Sequence, residues 1–274
     1  MLFSRRDQTI LAALRKVKPL YRDLGEVLDF YENLFQIQFV FKRQLGASDK
    51  AGYFENRGIN LDNLAKGLPQ ITFEELDMET APFPDLFRNI FNLLIPYTGY
   101  THGLEPEPLP EKIIEQAREI FLSQGPLINP GPLGDLVKTA SGFVLAPYLQ
   151  LACERILPRI PRDLWHREYC PLCGGRPTFA ALISESGSRT LLCPRCFGEW
   201  SYGRIGCPFC KSRDSQTYYS SEDSRYRLYI CGGCNRYLKT VDARDGASDL
   251  CLPVECIVTV SMDLSAQEKG FKFY

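Results

Sequence analysis

Through the first 160 residues apolar side chains recur every three or four positions, the repeat of one face of a helix. Ser4 with Asp7 offers an N-cap for a helix running to about Val17. Pro19 can open a second, longer helix whose stripe is Leu20, Leu24, Val27, Leu28, Tyr31, Leu34 and Phe35. The signal returns from Pro84 to Tyr97, and again from Pro110 to Gln124, where Gly125-Pro126 stops it. A last helix is expected from Asp135 to about Leu157, with a bend near Gly142 or Pro147. Such stripes predict a bundle core, and connectors rich in proline and glycine separate them.

The pattern changes at Leu157-Pro158-Arg159-Ile160-Pro161, a linker that halts the last helix. Short aliphatic runs bounded by polar turns replace the helical period, the mark of small hairpins. One turn centres on Glu185-Ser186-Gly187-Ser188 and a second on Ser220-Ser221-Glu222-Asp223. Beyond the acidic-basic turn from Asp242 to Asp249, the apolar stretch Cys251 to Leu264 is expected as a strand extension, with one helical turn after Ser265. The fold class expected is multidomain: an N-terminal helical bundle (1–160), a first metal-ribbon module (165–205), and a second (206–274) carrying the strand extension.

Cysteine spacing supplies the chemistry. Four Cys-x-x-Cys pairs occur in order: Cys170/Cys173, Cys193/Cys196, Cys207/Cys210 and Cys231/Cys234. Such a turn brings two thiolates to one side of a tight loop, and two turns complete a tetrahedral S4 shell around zinc or iron. Neighbouring pairs are the expected partners. The two halves run alike, each opening with Cys-Pro-apolar-Cys and re-entering its second pair through an aliphatic run, Thr190-Leu191-Leu192 or Leu228-Tyr229-Ile230. Trp200 and Tyr237 follow the two last cysteines as matching aromatics, which makes the region an internal duplication. Gly174, Gly175, Gly232 and Gly233 suit the crowded or left-handed backbone of such knuckles. Two complete shells point to metal as a staple for ribbons too small to fold alone. They leave no open position for catalysis, so no catalytic residue is assigned. His166 and His102 read as ordinary polar side chains, Cys251 and Cys256 as buried thiols.

Composition narrows the remaining classes. The net charge is −1 over 274 residues, and no run of 18 apolar residues or cleavable leader is seen, so a cytoplasmic protein without stable membrane insertion is expected. Residues 165–274 carry 14 Lys+Arg against 12 Asp+Glu. Two divalent S4 sites would bring that part to about −2, which argues against a nucleic-acid-binding zinc ribbon. Arg225, Arg227 and Arg236, interleaved with Tyr226, Tyr229 and Tyr237, are its one local basic-aromatic candidate. A thiol-disulfide or sulfur-transfer protein is the other alternative.

The ordered string Cys170-Pro-Leu-Cys-Gly, Leu192-Cys-Pro-Arg-Cys, Glu199-Trp200, Arg204, Cys207-Pro-Phe-Cys and Cys231-Gly-Gly-Cys-Asn-Arg-Tyr-Leu-Lys resembles the formate dehydrogenase accessory protein family, FdhE. The likeness continues through Asp249, Met262-Asp263 and Gly270-Phe271. It implies a helical domain followed by two rubredoxin-like modules, with all eight paired cysteines binding two iron or zinc ions. It further implies a cytoplasmic, non-enzymatic assembly factor whose partner is the catalytic subunit of formate dehydrogenase. Trp200, Arg204, Tyr237 and Lys239 are candidates for the client-binding surface. The sequence leaves open which metal is native, whether it is redox-active, and the state of homo-oligomerisation.

Overall fold

The computed structural model describes residues 3–80, 83–97, 108–127, 136–185, 187–246 and 250–273. Helix α1 (Arg5–Val17) begins where Ser4 Oγ accepts the Asp7 N–H at 3.2 Å, and it buries Ile10, Leu11 and Leu14. The second helix, α2, spans Gly25–Gly46 and starts later than Pro19. Leu20 lies outside its stripe, 73 % exposed, because the intervening residues form the corner that turns α2 back against α1. That corner is tied by Lys18 to Asp29 at 2.7 Å and by Arg15 to Glu32 at 2.7 Å. Two short helices follow, α3 (Asp49–Asn56) and α4 (Leu61–Lys66). At about two turns or fewer they are too short to declare a period in the sequence.

Helices α5 (Phe83–Leu94) and α6 (Pro110–Leu122) lie where the stripes put them. With α2 they surround α7 (Leu136–Ile156), which is apolar on every side and buried along most of its length, as a central helix must be. The stretch Leu136–Arg159 is long and apolar enough to cross a membrane, but 83 % of its apolar 18-residue window is buried inside the protein. Gly142 permits its close approach to a neighbouring segment, since a Cβ there would sit 2.5 Å from the Leu127 carbonyl oxygen.

The C-terminal part is one six-stranded sheet in the order β3-β2-β1-β6-β5-β4. The first ribbon supplies β1 (Phe179–Ile183), β2 (Ser188–Leu192) and β3 (Glu199–Tyr202). The second supplies β4 (Gln216–Ser220), β5 (Tyr226–Cys231) and β6 (Arg236–Ala243). The ribbons repeat head to tail and join through β1 and β6, the one parallel pair, with Ala181 opposite Val241. Strand alternation splits the sheet's side chains between two cores. Ala180, Leu191, Trp200 and Leu238 join the bundle core, whereas Phe179, Ala181, Leu192 and Val241 pack with α1, α2 and the C-terminal segment.

That C-terminal segment corrects the expected strand extension. It forms two helices, α8 (Leu252–Val258) and α9 (Val260–Glu268). Pro253 occupies the first turn of α8, where a missing N–H costs nothing and the fixed φ favours helix. The β-branched run is overridden by packing, for Leu252, Val254, Ile257 and Val258 cover the sheet face opposite the bundle.

Candidate metal centres

All four Cys-x-x-Cys turns are built alike. In each, the residue four positions after the first cysteine returns its N–H to that cysteine's carbonyl: Gly174 to Cys170 at 3.0 Å, Phe197 to Cys193 at 3.0 Å, Lys211 to Cys207 at 2.9 Å, and Asn235 to Cys231 at 2.8 Å. Each of those residues has left-handed backbone, with φ of 71°, 59°, 65° and 56°. Gly174 therefore has the role its type suggested, and Gly175 is crowded between Arg195 and Cys193. Gly232 and Gly233 do not occupy the left-handed position; Asn235, a tolerant residue there, does. Backbone N–H groups also turn onto sulfur, Gly198 to Cys196 at 3.3 Å and Phe209 to Cys207 at 3.4 Å.

The eight thiols fall into two groups from consecutive stretches of chain: Cys170, Cys173, Cys193 and Cys196, then Cys207, Cys210, Cys231 and Cys234. Within each, all sulfurs lie within 4.8 Å of one another. Cys170 and Cys196 are 3.6 Å apart, Cys173 and Cys193 3.5 Å, Cys207 and Cys234 3.7 Å, and Cys210 and Cys231 3.6 Å. A tetrahedron with metal–sulfur bonds of ~2.3 Å has edges of about 3.8 Å, so the donors fit a four-coordinate ion. All eleven cysteines are free thiols.

The two groups differ in surroundings. The first is wholly buried where the ribbon enters the bundle core. Gln70 and Ile71 donate backbone N–H groups to Pro171 and Leu172 at 2.9 and 3.0 Å, stitching the helical part onto the first knuckle. Burial pushes the Cys170 and Cys196 thiols well up, while hydrogen bonds from Cys170, Cys193 and Cys196 draw Cys173 well down, assisted by Arg195. Arg195 is fully buried beside this group. One of its nitrogens donates to the Phe121 carbonyl at 3.1 Å; Nε and Nη1 have no hydrogen-bond partner. A buried cation with idle donors suits an anionic neighbour, which four thiolates around a divalent ion would be. The second group lies at the sheet edge: Cys207 and Cys231 are buried, Cys234 is half-buried and Cys210 is exposed.

A fifth sulfur flanks the first group. A Cβ on Gly198 would meet Cys196 Sγ at 3.1 Å and Cys153 Sγ at 3.4 Å. Arg6 Nη1 approaches Cys153 Sγ at 3.7 Å. A hydrogen bond with Cys196, then the Arg6 charge, draws the Cys153 thiol below its ordinary range. Cys153 sits alone on α7, and nothing in its spacing signals this neighbour.

His166 is exposed and joins neither group, and His102 lies outside the described residues. Cys251 is buried and Cys256 half-buried; neither belongs to a third metal-ligating group among the described residues. Trp200 and Tyr237 are not equivalent. Leu191 faces Trp200 across β2 and β3, whereas Tyr229 faces Leu238 across β5 and β6. The true counterparts are Trp200 with Leu238 and Glu199 with Tyr237, a slip of one residue that exchanges the faces. Trp200, Tyr237 and Lys239 are also too deep to form a surface, at 6 %, 2 % and 1 % exposure; only Arg204 is exposed. In the basic-aromatic candidate, Arg225 pairs with Glu255 at 2.8 Å, Arg227 pairs with Asp242, and Tyr226 and Tyr237 are buried.

Along nearly its whole length the chain is similar to the FdhE homologue of Aquifex aeolicus, with 28 % identity over 268 residues covering 93 % of this chain and 88 % of that one. The FdhE homologue of Pectobacterium carotovorum is 32 % identical over 111 residues, 39 % of this chain and 35 % of the relative. The crystal structure of the FdhE protein from Pseudomonas aeruginosa superposes with a TM-score of 0.62 at 20 % identity, over 99 % of this chain and 92 % of the other. The chain is thus FdhE-like in sequence over nearly its whole length and in fold. The crystal structure extends the FdhE likeness in fold to the helical half, where no cysteine motif exists to carry it. No family model matches the sequence.

Proposed function

We propose that this chain is a member of the FdhE family and a non-enzymatic accessory protein for formate dehydrogenase, which binds the catalytic subunit in the cytoplasm during assembly. In this reading residues 1–160 form the helical domain, and 165–205 and 206–274 are the two ribbons. Each ribbon holds one iron or zinc ion through its four cysteines. The metal, when bound, ties two knuckles into one rigid unit. The chain's own residues do the rest: Gln70 and Ile71 clamp the first knuckle, Arg189 holds the inter-ribbon linker through its 3.0 Å bond to the Gly206 carbonyl, and β1 fixes the second ribbon against the first.

The observation that carries this reading is the unequal burial of two equivalent sites. The first is sealed in the interior and can only support the fold. The second presents Cys210 to solvent beside the edge strand β4, whose Tyr218 and Tyr219 are about half exposed. An open edge with exposed aromatics is a surface to which another chain can add. Purification from the native host tests the proposal: the catalytic subunit should accompany the protein together with two equivalents of metal. Cys207→Ser with Cys210→Ser should keep the fold and lose the subunit. Full formate dehydrogenase activity in cells lacking this protein would overturn it.

A further inference from the structure

Between α2, α7, the second knuckle of the first ribbon and α8 lies a chamber of about 160 Å³ that is separate from both thiol groups. Its walls are apolar, with Phe35, Phe143, Phe197 and Ile257 on different sides. A cavity of roughly 150 Å³ with such walls is large enough to take up benzene. The ion pair that lines it is already satisfied: Lys239 Nζ donates to Asp263 at 2.6 Å, the Cys256 carbonyl at 2.8 Å and the Thr259 carbonyl at 3.3 Å. It thus offers no free charge to an ionic ligand. Gln150 is different. Its side chain lines the same chamber at 3 % exposure, and both its Nε2 and Oε1 lack any hydrogen-bond partner. The Thr178 hydroxyl beside the chamber faces the Cys256 sulfur instead.

A buried amide with both ends idle is costly, and the group that satisfies both at once presents a donor next to an acceptor. We propose that the chamber is a binding site for a small uncharged aromatic molecule bearing a carboxamide-type edge, which pairs with Gln150. The rings of Phe35, Phe143 and Phe197 enclose the apolar body, and Gln150 fixes its orientation.

The test uses the full metal-loaded chain, with benzamide as probe and ethylbenzene as an apolar control of similar size. At ~5 mM probe, a concentration suited to weak ligands of this size, benzamide should show intermolecular NOEs to the Phe143 and Phe197 ring protons. It should bind roughly tenfold more tightly than ethylbenzene, the worth of one or two buried hydrogen bonds. Gln150→Met should remove that preference while ethylbenzene still binds. The wild-type NOE measurement stands even if the variant folds poorly. Absence of NOEs in the wild type, or an unchanged preference in Gln150→Met, would overturn the proposal.

Discussion

Replacing Arg195 by methionine should cost far more stability when the first site holds metal than when it is empty. The Arg195 stem and Cys193 sulfur lie on either side of Gly175, where a Cβ would be 2.7 Å from the one and 2.9 Å from the other. Four thiolates around a divalent ion carry a net charge of −2, facing one buried guanidinium. At a separation of ~6 Å and an effective dielectric near 20, each unit charge contributes roughly 3 kcal/mol. Allowing for the desolvation of Arg195 itself, its loss from the loaded protein should cost about 3–5 kcal/mol, as for breaking other buried pairs. In a protein of this size that lowers Tm by roughly 6–20 °C. With metal removed, the drawn-down Cys173 thiol leaves Arg195 at most one thiolate to face in place of a net charge of −2, so the same substitution should cost much less. Thermal unfolding of both proteins, loaded and chelator-treated, reads the difference. Chelator competition reads the coupling, with metal affinity falling by about two to three orders of magnitude. Equal Tm shifts in both states, or unaltered metal affinity, would show that Arg195 does not answer the charge of the cluster.

The remaining predictions follow from the same geometry. Cys207→Ser with Cys210→Ser should lose one metal equivalent by native mass spectrometry and leave the main unfolding transition within a few degrees, because that knuckle opens locally. Cys170→Ser with Cys173→Ser should abolish cooperative unfolding, and similar outcomes for the two pairs would contradict the unequal roles. Lys239→Met strands the buried Asp263 carboxylate and should cost about 3–5 kcal/mol in chemical denaturation; adding Asp263→Leu should restore most of it. Asp242 is held below the usual carboxylate range by two Arg244 hydrogen bonds at 2.7 Å, so its stabilisation is complete above pH 3.8 and lost only as pH falls through its lower folded-state value. Asp242→Asn should therefore destabilise the fold, and the cost should stay constant from about pH 5 to 8. A cost that changes across that window would assign the effect to another group.

How much of this was legible in the chain depends on the range of the interactions. The long helices announce themselves through local periodicity, and the two thiol groups through knuckle spacing, since both signals are written within about 30 residues. Register is less local. Trp200 and Tyr237 look like matching aromatics after the last cysteines, yet they stand four and three positions on, and the ladder pairs Leu191 with Trp200 and Tyr229 with Leu238. The run from Val254 to Val260 has strand composition and becomes helix because Pro253 starts a turn and the sheet's outer face needs a cover. Cys153 and Arg6 reach the first thiol group from two distant helices, a contact that exists only once the bundle has closed on the ribbon.

The duplication makes the environment of each site readable residue by residue. The second knuckle of the buried group is Cys193-Pro194-Arg195-Cys196, and its counterpart at the edge is Cys231-Gly232-Gly233-Cys234. Inside, water cannot answer the charge of a loaded S4 shell, and the knuckle carries its own cation in Arg195. At the edge, Gly232 and Gly233 are exposed and solvent does the same work, so no side chain is needed. The left-handed positions follow suit: Phe197 packs inward against Phe35 at 5.7 Å between ring centroids, and exposed Asn235 donates to the Gly270 carbonyl at 2.7 Å. Two copies of one metal ribbon have thus acquired opposite surroundings, and each departure from the repeat is the residue its surroundings require. Exchanging the two knuckle sequences should then harm the buried site far more than the exposed one, because only there is the charge of the shell shut away from water.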